Sequence, residues 1–131
     1  MSNSKLNLAW PIILTFLIIM GWMPFEGLFE RVLSVGIVLT AIWGWVVYRQ
    51  INLLDPLNLS IRHVVFGAGL GLVAPAVILG LMVLKTGVHA HGPEFSPAEI
   101  SWVTQQFFIW PIVGGVAGLG FRMLLAGKAT N

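Results

Sequence analysis

Two histidines and a glutamate lie close together in the polar segment KTGVHAHGPEFSPAEI, which runs from Lys85 to Ile100. His89 and His91 are separated by a single residue, and Glu94 follows a short distance along the chain. Imidazole nitrogens and carboxylate oxygens are ligands for Zn²⁺ and related metals, and an imidazole also exchanges protons near neutral pH. These three residues are therefore the candidate metal or proton site of the chain.

The same segment has a simpler interpretation, in which it is a solvated loop that contacts lipid headgroups or a partner subunit. Gly92 and Pro93 turn the backbone between the histidines and the glutamate, and the segment supplies no third histidine and no cysteine. A structural zinc site generally has four such ligands. We therefore expect this segment to contact a partner rather than to catalyse a reaction.

The residues that follow predict the start of a helix. Ser96-Pro97-Ala98-Glu99 has a serine at the N-cap, a proline at the first helical position and a glutamate at the third. In such a capping box, the hydroxyl of Ser96 and the carboxylate of Glu99 bind the amide groups at the helix end reciprocally. We therefore assign Glu99 to the cap rather than to the histidine site, and we expect a helix that begins at Pro97.

Three other polar residues border or enter apolar stretches and are candidates for binding a cofactor. His63 precedes the third apolar run, and Gln105 and Gln106 follow the predicted start of the fourth helix. A histidine is able to ligate haem or another pigment, and a polar pocket formed by the glutamines would suit a quinone headgroup. The alternatives are an interfacial histidine in an aromatic belt and glutamines that hydrogen-bond to neighbouring helices.

Both glutamines lie one to two turns into the predicted fourth helix. Gln105 shares a face with Ser101, Thr104 and Phe108, which are spaced at intervals of three and four residues. Because polar side chains in lipid usually bond to neighbouring helices, we expect this face to pack inside the protein.

The elements that must position these groups are strongly apolar. Hydrophobic residues make up 57% of the 131 residues and charged residues only 9%, whereas about 25% of the residues of a soluble domain are charged. About 20 apolar residues in a helix cross a bilayer. The sequence therefore predicts an all-α membrane protein, a single domain with a small bundle of four transmembrane helices and short loops with interfacial segments. The predicted spans cover residues 6–23, 32–48, 63–84 and 98–126.

The basic residues predict the orientation of these spans. Five lysines and arginines flank one side and two flank the other; they are Lys5, Arg49, Arg62, Arg122 and Lys128 against Arg31 and Lys85. Cytoplasmic flanks carry the excess of Lys and Arg. We therefore expect both termini in the cytoplasm and the His89–His91 loop on the non-cytoplasmic side of a bacterial inner membrane or an equivalent energy-transducing membrane. No small-x-small cleavage site follows the first apolar stretch, so we expect it to remain as an anchor.

Two glycine patterns predict how the last two helices pack. Gly67 and Gly71 have the GxxxG spacing in the third predicted span, and Gly114 and Gly118 have it in the fourth. Small residues four apart form a groove that lets helix backbones approach closely. The third and fourth helices are therefore expected to pair through these glycines, or to receive a helix from another subunit.

Composition also excludes several classes of function. The chain has no cysteine and a formal charge of only +2, so thiol chemistry and a nucleic-acid surface are not expected. No Asp, Glu or Lys lies in the middle of the predicted spans, although such residues are the usual mark of ion pathways. Nucleotide-binding and hydrolase motifs are also missing. We therefore expect a protein that is not an enzyme.

These observations favour a non-catalytic accessory or assembly subunit of a larger membrane complex, with lipids and other membrane-protein subunits or copies of itself as partners. An alternative is a membrane protein that binds a pigment, haem, quinone, lipid or metal through the histidine–glutamate loop or the polar face of the fourth helix. A second alternative is a small oligomeric channel or transporter. No cofactor is required by the sequence.

Overall fold

A computed structural model of the chain describes residues 8–25, 29–54, 59–89, 92 and 94–128, with side chains at all of these except 51–54, 59–60 and 125–128. These residues form four helices in chain order: α1 (Ala9–Trp22), α2 (Phe29–Leu54), α3 (Leu59–His89) and α4 (Pro97–Lys128). The predicted all-α class is confirmed. Neighbouring helices along the chain pack against each other, and α3 and α4 make the most extensive pair.

Three of the described helices are long and apolar enough to cross a membrane, over Phe29–Gln50, Ile61–His89 and Pro97–Leu124. The remaining helix, α1, is apolar but has only 14 residues. At about 1.5 Å per residue it is about 21 Å long, which is shorter than a hydrocarbon core of roughly 30 Å. The structure therefore supports an integral membrane protein with three long apolar helices, while the predicted span 6–23 begins outside the described residues.

The long helices continue beyond the apolar runs from which they were predicted. Helix α2 reaches Leu54, and α3 extends from Leu59 to His89 rather than over residues 63–84. An apolar run marks the part of a helix that meets hydrocarbon, whereas the helix itself continues until its backbone hydrogen bonds are interrupted. Lys85 and His89 therefore belong to the last turns of α3, which corrects their assignment to a loop. The chain turns at Gly92, whose φ of 111° favours glycine.

Helix α4 begins at Pro97, where the capping pattern places it. The Ser96 backbone N–H donates to the Glu99 carboxylate at 2.7 Å, and the Glu99 backbone N–H donates to the Ser96 hydroxyl at 3.3 Å. The hydroxyl of Ser96 also donates to the same carboxylate at 2.9 Å. These reciprocal bonds define a capping box, and they engage Glu99 at the helix start.

The pairing of α3 and α4 depends on their glycines. The helices run antiparallel, so that Gly67 lies opposite Gly114 and each has the other's carbonyl oxygen where its own Cβ would be. Only residues without a side chain permit backbones to approach this closely in a membrane. A Cβ would overlap a carbonyl of the opposite helix at each of the four glycines of the two GxxxG patterns, Gly67, Gly71, Gly114 and Gly118.

The other helices are held by larger side chains. Helix α2 approaches α3 at Gly36, where an added Cβ would overlap the side chain of Ile78. Helix α1 is tied to α2 by a hydrogen bond from the Trp43 indole N–H to the Thr15 hydroxyl, at 3.0 Å. The buried apolar cluster draws on all four helices and on the loop before α4; its buried members are Trp22, Val32, Leu39, Ile78, Leu81, Met82, Phe95 and Val103.

Much of the apolar surface faces outward. On α4, for example, Phe108 is 80% exposed and Val116 is 67% exposed. In water such a surface would associate, whereas in a bilayer lipid chains cover it. The distribution of apolar residues is therefore that of a protein whose long helices lie in a membrane.

Candidate functional site

Two candidate functional sites that contain polar or ionisable side chains lie at opposite ends of the α3–α4 pair. The first, which we call the polar cluster, comprises Trp22, Phe25, Lys85, His89 and Glu94. The second, which we call the groove, is an apolar cavity between α2, α3 and α4 that has Tyr48 and His63 at one end.

Lys85 is the central residue of the polar cluster and is only 1% exposed. Its ammonium group donates a hydrogen bond to the Phe25 carbonyl oxygen. The same nitrogen lies 3.5 Å from the Glu94 carboxylate and 4.9 Å from the centre of the Trp22 ring. An unpaired ammonium is very unfavourable in an apolar interior. Here a carbonyl, a carboxylate and an aromatic face compensate for its lost hydration.

Glu94 joins Lys85 to His89. The Nδ1 atom of His89 lies 3.3 Å from the second carboxylate oxygen of Glu94 and 3.2 Å from the Lys85 carbonyl oxygen. Both neighbours are acceptors, so these contacts require a proton on Nδ1. The cluster thus links the connection after α1, the last turns of α3 and the loop before α4.

Sequence reasoning placed His89 and Glu94 in one site but missed Lys85, which was counted only as a flanking charge. The signal was available: no proline separates the apolar run of α3 from Gly92, and a helix tolerates the single intervening Gly87, so the helix continues through Lys85. Residues four apart on a helix lie on the same face, which brings Lys85 and His89 together. Lys85 is therefore buried near the end of its helix, just beyond the predicted span 63–84.

The predicted metal or proton site is only partly covered by the structure. His91 lies outside the described residues, so its position relative to His89 and Glu94 stays a prediction. Within the described part of the chain, no group of three or more histidine, aspartate or glutamate residues is close enough to hold a metal ion. The carboxylate that was expected to bind a metal is instead beside a lysine.

The groove end has a different polar pair. The Tyr48 hydroxyl lies 3.1 Å from Nε2 of His63, which makes a hydrogen bond whose donor depends on the histidine tautomer. His63 is only 5% exposed, and it belongs to the apolar segment Ile61–His89. His63 is therefore buried against the protein near the start of this segment, and its ring contacts a side chain of α2.

Aromatic rings surround this pair. The ring of Tyr48 has its centre 5.7 Å from those of His63 and Phe66, 6.0 Å from that of Phe121 and 6.1 Å from that of Trp45. Such separations are typical of favourable aromatic contacts. The rings come from all three long helices, so they hold the polar pair in place while leaving apolar faces toward the cavity.

The cavity that adjoins the rings has a volume of about 660 Å³. Its walls are made largely of small residues and aliphatic side chains. The small residues include five glycines, Gly44, Gly67, Gly71, Gly114 and Gly118. No carboxylate, amine or thiol is present among the described lining residues. The groove thus offers apolar volume with a single tyrosine–histidine pair at one end, which suits binding of a largely apolar molecule.

The two glutamines do not reach the groove. Gln106 is 6% exposed, and its side-chain amide donates to the Trp102 carbonyl of the same helix at 3.0 Å. Gln105 lies on the outer surface, and so do Ser101, Thr104 and Phe108, with which it shares a face. The face of α4 that was expected to pack inside is therefore exposed on this chain, and neither glutamine lies beside His63 in the groove.

Comparisons with protein-family profiles, with curated proteins and with solved structures found no match to this chain.

Proposed function

We propose that the protein is a non-catalytic integral membrane protein that binds an apolar, membrane-dissolved ligand in the groove. The observation that carries the proposal is the cavity of about 660 Å³ with Tyr48 and His63 at its end. Ligand sites are generally apolar cavities of about 300–1,000 Å³ with a few polar groups that orient the ligand. The groove has this combination, and it lies between helices that are expected to be in direct contact with lipid.

Binding rather than catalysis follows from the composition of the walls. Catalysis by a hydroxyl beside a histidine generally also uses a third group, often a carboxylate, that orients the base. The described walls of the groove contain neither a carboxylate nor a thiol, and Thr40 donates its hydroxyl to the Gly36 carbonyl of its own helix. The tyrosine–histidine pair is therefore assigned to orienting the ligand.

A second candidate is an accessory or assembly subunit of a larger membrane complex, and it is favoured by the short helix α1. Its 14 residues are fewer than the roughly 20 that cross a bilayer, and its outward side chains Ile13, Phe16 and Leu17 are all more than half exposed. A short apolar helix is accommodated by bilayer thinning or by association with other helices. A partner helix against this face would provide that association, and ligand binding in the groove is compatible with it.

The proposed location is a bacterial inner membrane or an equivalent energy-transducing membrane. We place both termini in the cytoplasm, with the short helix α1 crossing the membrane as well, because five lysines and arginines then flank that side and two flank the other; without a crossing by α1 the N-terminus would lie on the other side. The polar cluster then lies near the non-cytoplasmic surface, and Tyr48 and His63 lie near the cytoplasmic one.

The test uses a pair of variants in α4. Ala117 lines the groove and is exposed there, so Ala117→Trp would fill the cavity. Val116 is also exposed but does not line the groove, so Val116→Trp is the matched control. Each protein is purified from native membranes in mild detergent, and its co-extracted lipophilic molecules and co-purifying proteins are identified by mass spectrometry.

We expect a lipophilic molecule that the wild type and Val116→Trp retain and that Ala117→Trp loses. Retention by all three proteins would overturn the groove as the binding site. Co-purification of one stoichiometric membrane protein with all three would instead support the accessory subunit, since α1 is unchanged in each.

A further inference from the structure

The end of the groove that holds Tyr48 and His63 is also the end at which three arginines occur. Arg49 follows Tyr48 at the end of the apolar part of α2, and Arg62 precedes His63 at the start of α3. Arg122 follows Phe121 near the end of α4. Each of the three helices that form the groove therefore carries an arginine next to a residue that lines it.

The described carboxylates lie at the opposite end of the helices. Glu30 is in the first turn of α2, and Glu99 is in the first turn of α4. Glu94 precedes α4 and is part of the polar cluster. Since α2 and α4 both begin at the end where these acids lie, the three arginines and the described acids are at opposite ends of the helices.

We propose that the ligand of the groove is an anionic membrane lipid, with its phosphate at the Arg49–Arg62–Arg122 end and its hydrocarbon chain in the groove. This inference rests on the groove being the binding site. The arginines alone would follow from membrane orientation, and the cavity alone would accept any apolar chain. Their combination, an apolar groove and an arginine beside a lining residue on each of its three helices, fits a molecule that has both a long apolar part and an anionic head.

The chemistry of the residues agrees with a phosphate rather than with a neutral head. Guanidinium groups bind phosphate oxygens with paired hydrogen bonds, and they remain charged at all physiological pH values. Arg49 is exposed, whereas Arg62 and Arg122 are partly buried, and long basic side chains near helix ends can extend toward the headgroup layer. The Tyr48 hydroxyl supplies a neutral donor or acceptor at the boundary between head and chain.

The test compares two lipids that differ only in the head. Wild-type protein in detergent micelles is mixed with equal amounts of dioleoylphosphatidylglycerol and dioleoylphosphatidylcholine, and the retained lipids are counted by native mass spectrometry. We expect the anionic lipid to be preferred. Arg49→Gln and Arg122→Gln are each expected to reduce this preference by about fivefold, the effect of one basic residue near an anionic surface.

A matched control removes the same charge from the other end. Arg31 is exposed at the start of α2, where its guanidinium lies 4.8 Å from the centre of the Phe25 ring. Arg31→Gln is expected to leave the lipid preference unchanged. An equal loss in Arg31→Gln would show that net charge, and not the groove end, selects the lipid, and this result would overturn the inference.

Three further outcomes separate the inference from the proposed function. Equal retention of both lipids, lost in Ala117→Trp, would overturn the anionic head while leaving the groove as a binding site. If the wild type retained no more of either lipid than Ala117→Trp does, both the groove as a binding site and the anionic head would be overturned. Displacement of the anionic lipid by millimolar inorganic phosphate would show a site for free phosphate, and the lipid assignment would then be wrong.

Discussion

The buried polar groups at the two ends of the α3–α4 pair have different kinds of partner. At one end, Lys85 is 1% exposed and its charge is met by Glu94 and by the Phe25 carbonyl. At the other end, His63 is 5% exposed and meets the neutral hydroxyl of Tyr48. The charged end is filled by its own side chains, whereas the neutral end adjoins an open cavity.

This difference separates a structural role from a binding role. A buried ammonium is tolerated only with its partners in place, so the side chains of the polar cluster are needed for their contacts with one another. The Tyr48 hydroxyl and His63 instead adjoin an open cavity, where a bound ligand would lie against them. The sequence pattern pointed first to the histidine loop at the charged end, whereas we propose ligand binding at the opposite end, where the cavity lies.

The largest loss of stability is expected for Glu94→Gln, because this substitution removes the carboxylate that pairs with the buried Lys85. Breaking such a pair costs about 3 kcal/mol in the free energy of unfolding. The double variant Lys85→Met/Glu94→Gln removes the charge as well and should recover most of this loss. Denaturant unfolding in mixed micelles, followed by circular dichroism, measures both.

The matched control for this comparison is Glu30→Gln, since Glu30 is an exposed glutamate in the first turn of α2. Its effect should stay within about 0.5 kcal/mol. If Glu94→Gln were as mild as Glu30→Gln, the charged end would not depend on its ion pair.

A smaller loss of stability is expected for a substitution at Gly71, which lies between the two ends of the α3–α4 pair. A Cβ there would overlap the Trp110 carbonyl, so Gly71→Ala must push α3 away from α4. Overpacking of this kind costs about 1–3 kcal/mol. Gly69 is two residues away on the same helix with nothing within 4 Å of its added Cβ, so Gly69→Ala should be neutral or slightly stabilising. Unfolding of both variants in micelles tests the pair, and equal stabilities would contradict the glycine contact.

The smallest effect on stability is expected for Tyr48→Phe, which removes one neutral hydrogen bond and leaves the aromatic contacts. Its cost should be about 1 kcal/mol or less, whereas ligand retention, measured by native mass spectrometry, should fall. A destabilisation as large as that of Glu94→Gln would mean that both ends are structural, and the distinction between them would not hold.

The degree to which each feature was predictable depends on the range of the interactions behind it. The capping box was predictable because Ser96 and Glu99 are three residues apart and bond within one turn. The glycine patterns were visible for the same reason, since GxxxG spacing is a property of one helix. The burial of Lys85 was not predicted, because it depends on the Phe25 carbonyl, which lies 60 residues away along the chain.

The outward face of α4 shows the same limit. Its polar residues suggested internal packing, yet Thr104 donates its hydroxyl to the Ile100 carbonyl one turn earlier at 2.9 Å, which satisfies it without a neighbouring helix. A hydroxyl in lipid needs a partner, but the spacing of residues does not tell whether that partner is the helix itself or another helix.

The sequence by itself determined that this is a helical membrane protein, where its apolar runs lie and how α4 begins, because hydrophobicity, helix propensity and capping act over a few residues. Only the tertiary structure decided that Tyr48 meets His63 beside an open groove and that Lys85 meets Glu94 in a closed cluster. Those contacts join separate helices, and their positions depend on how closely the glycines let α3 and α4 approach. Backbone contact of that kind is a property of the packed pair, which neither helix possesses alone.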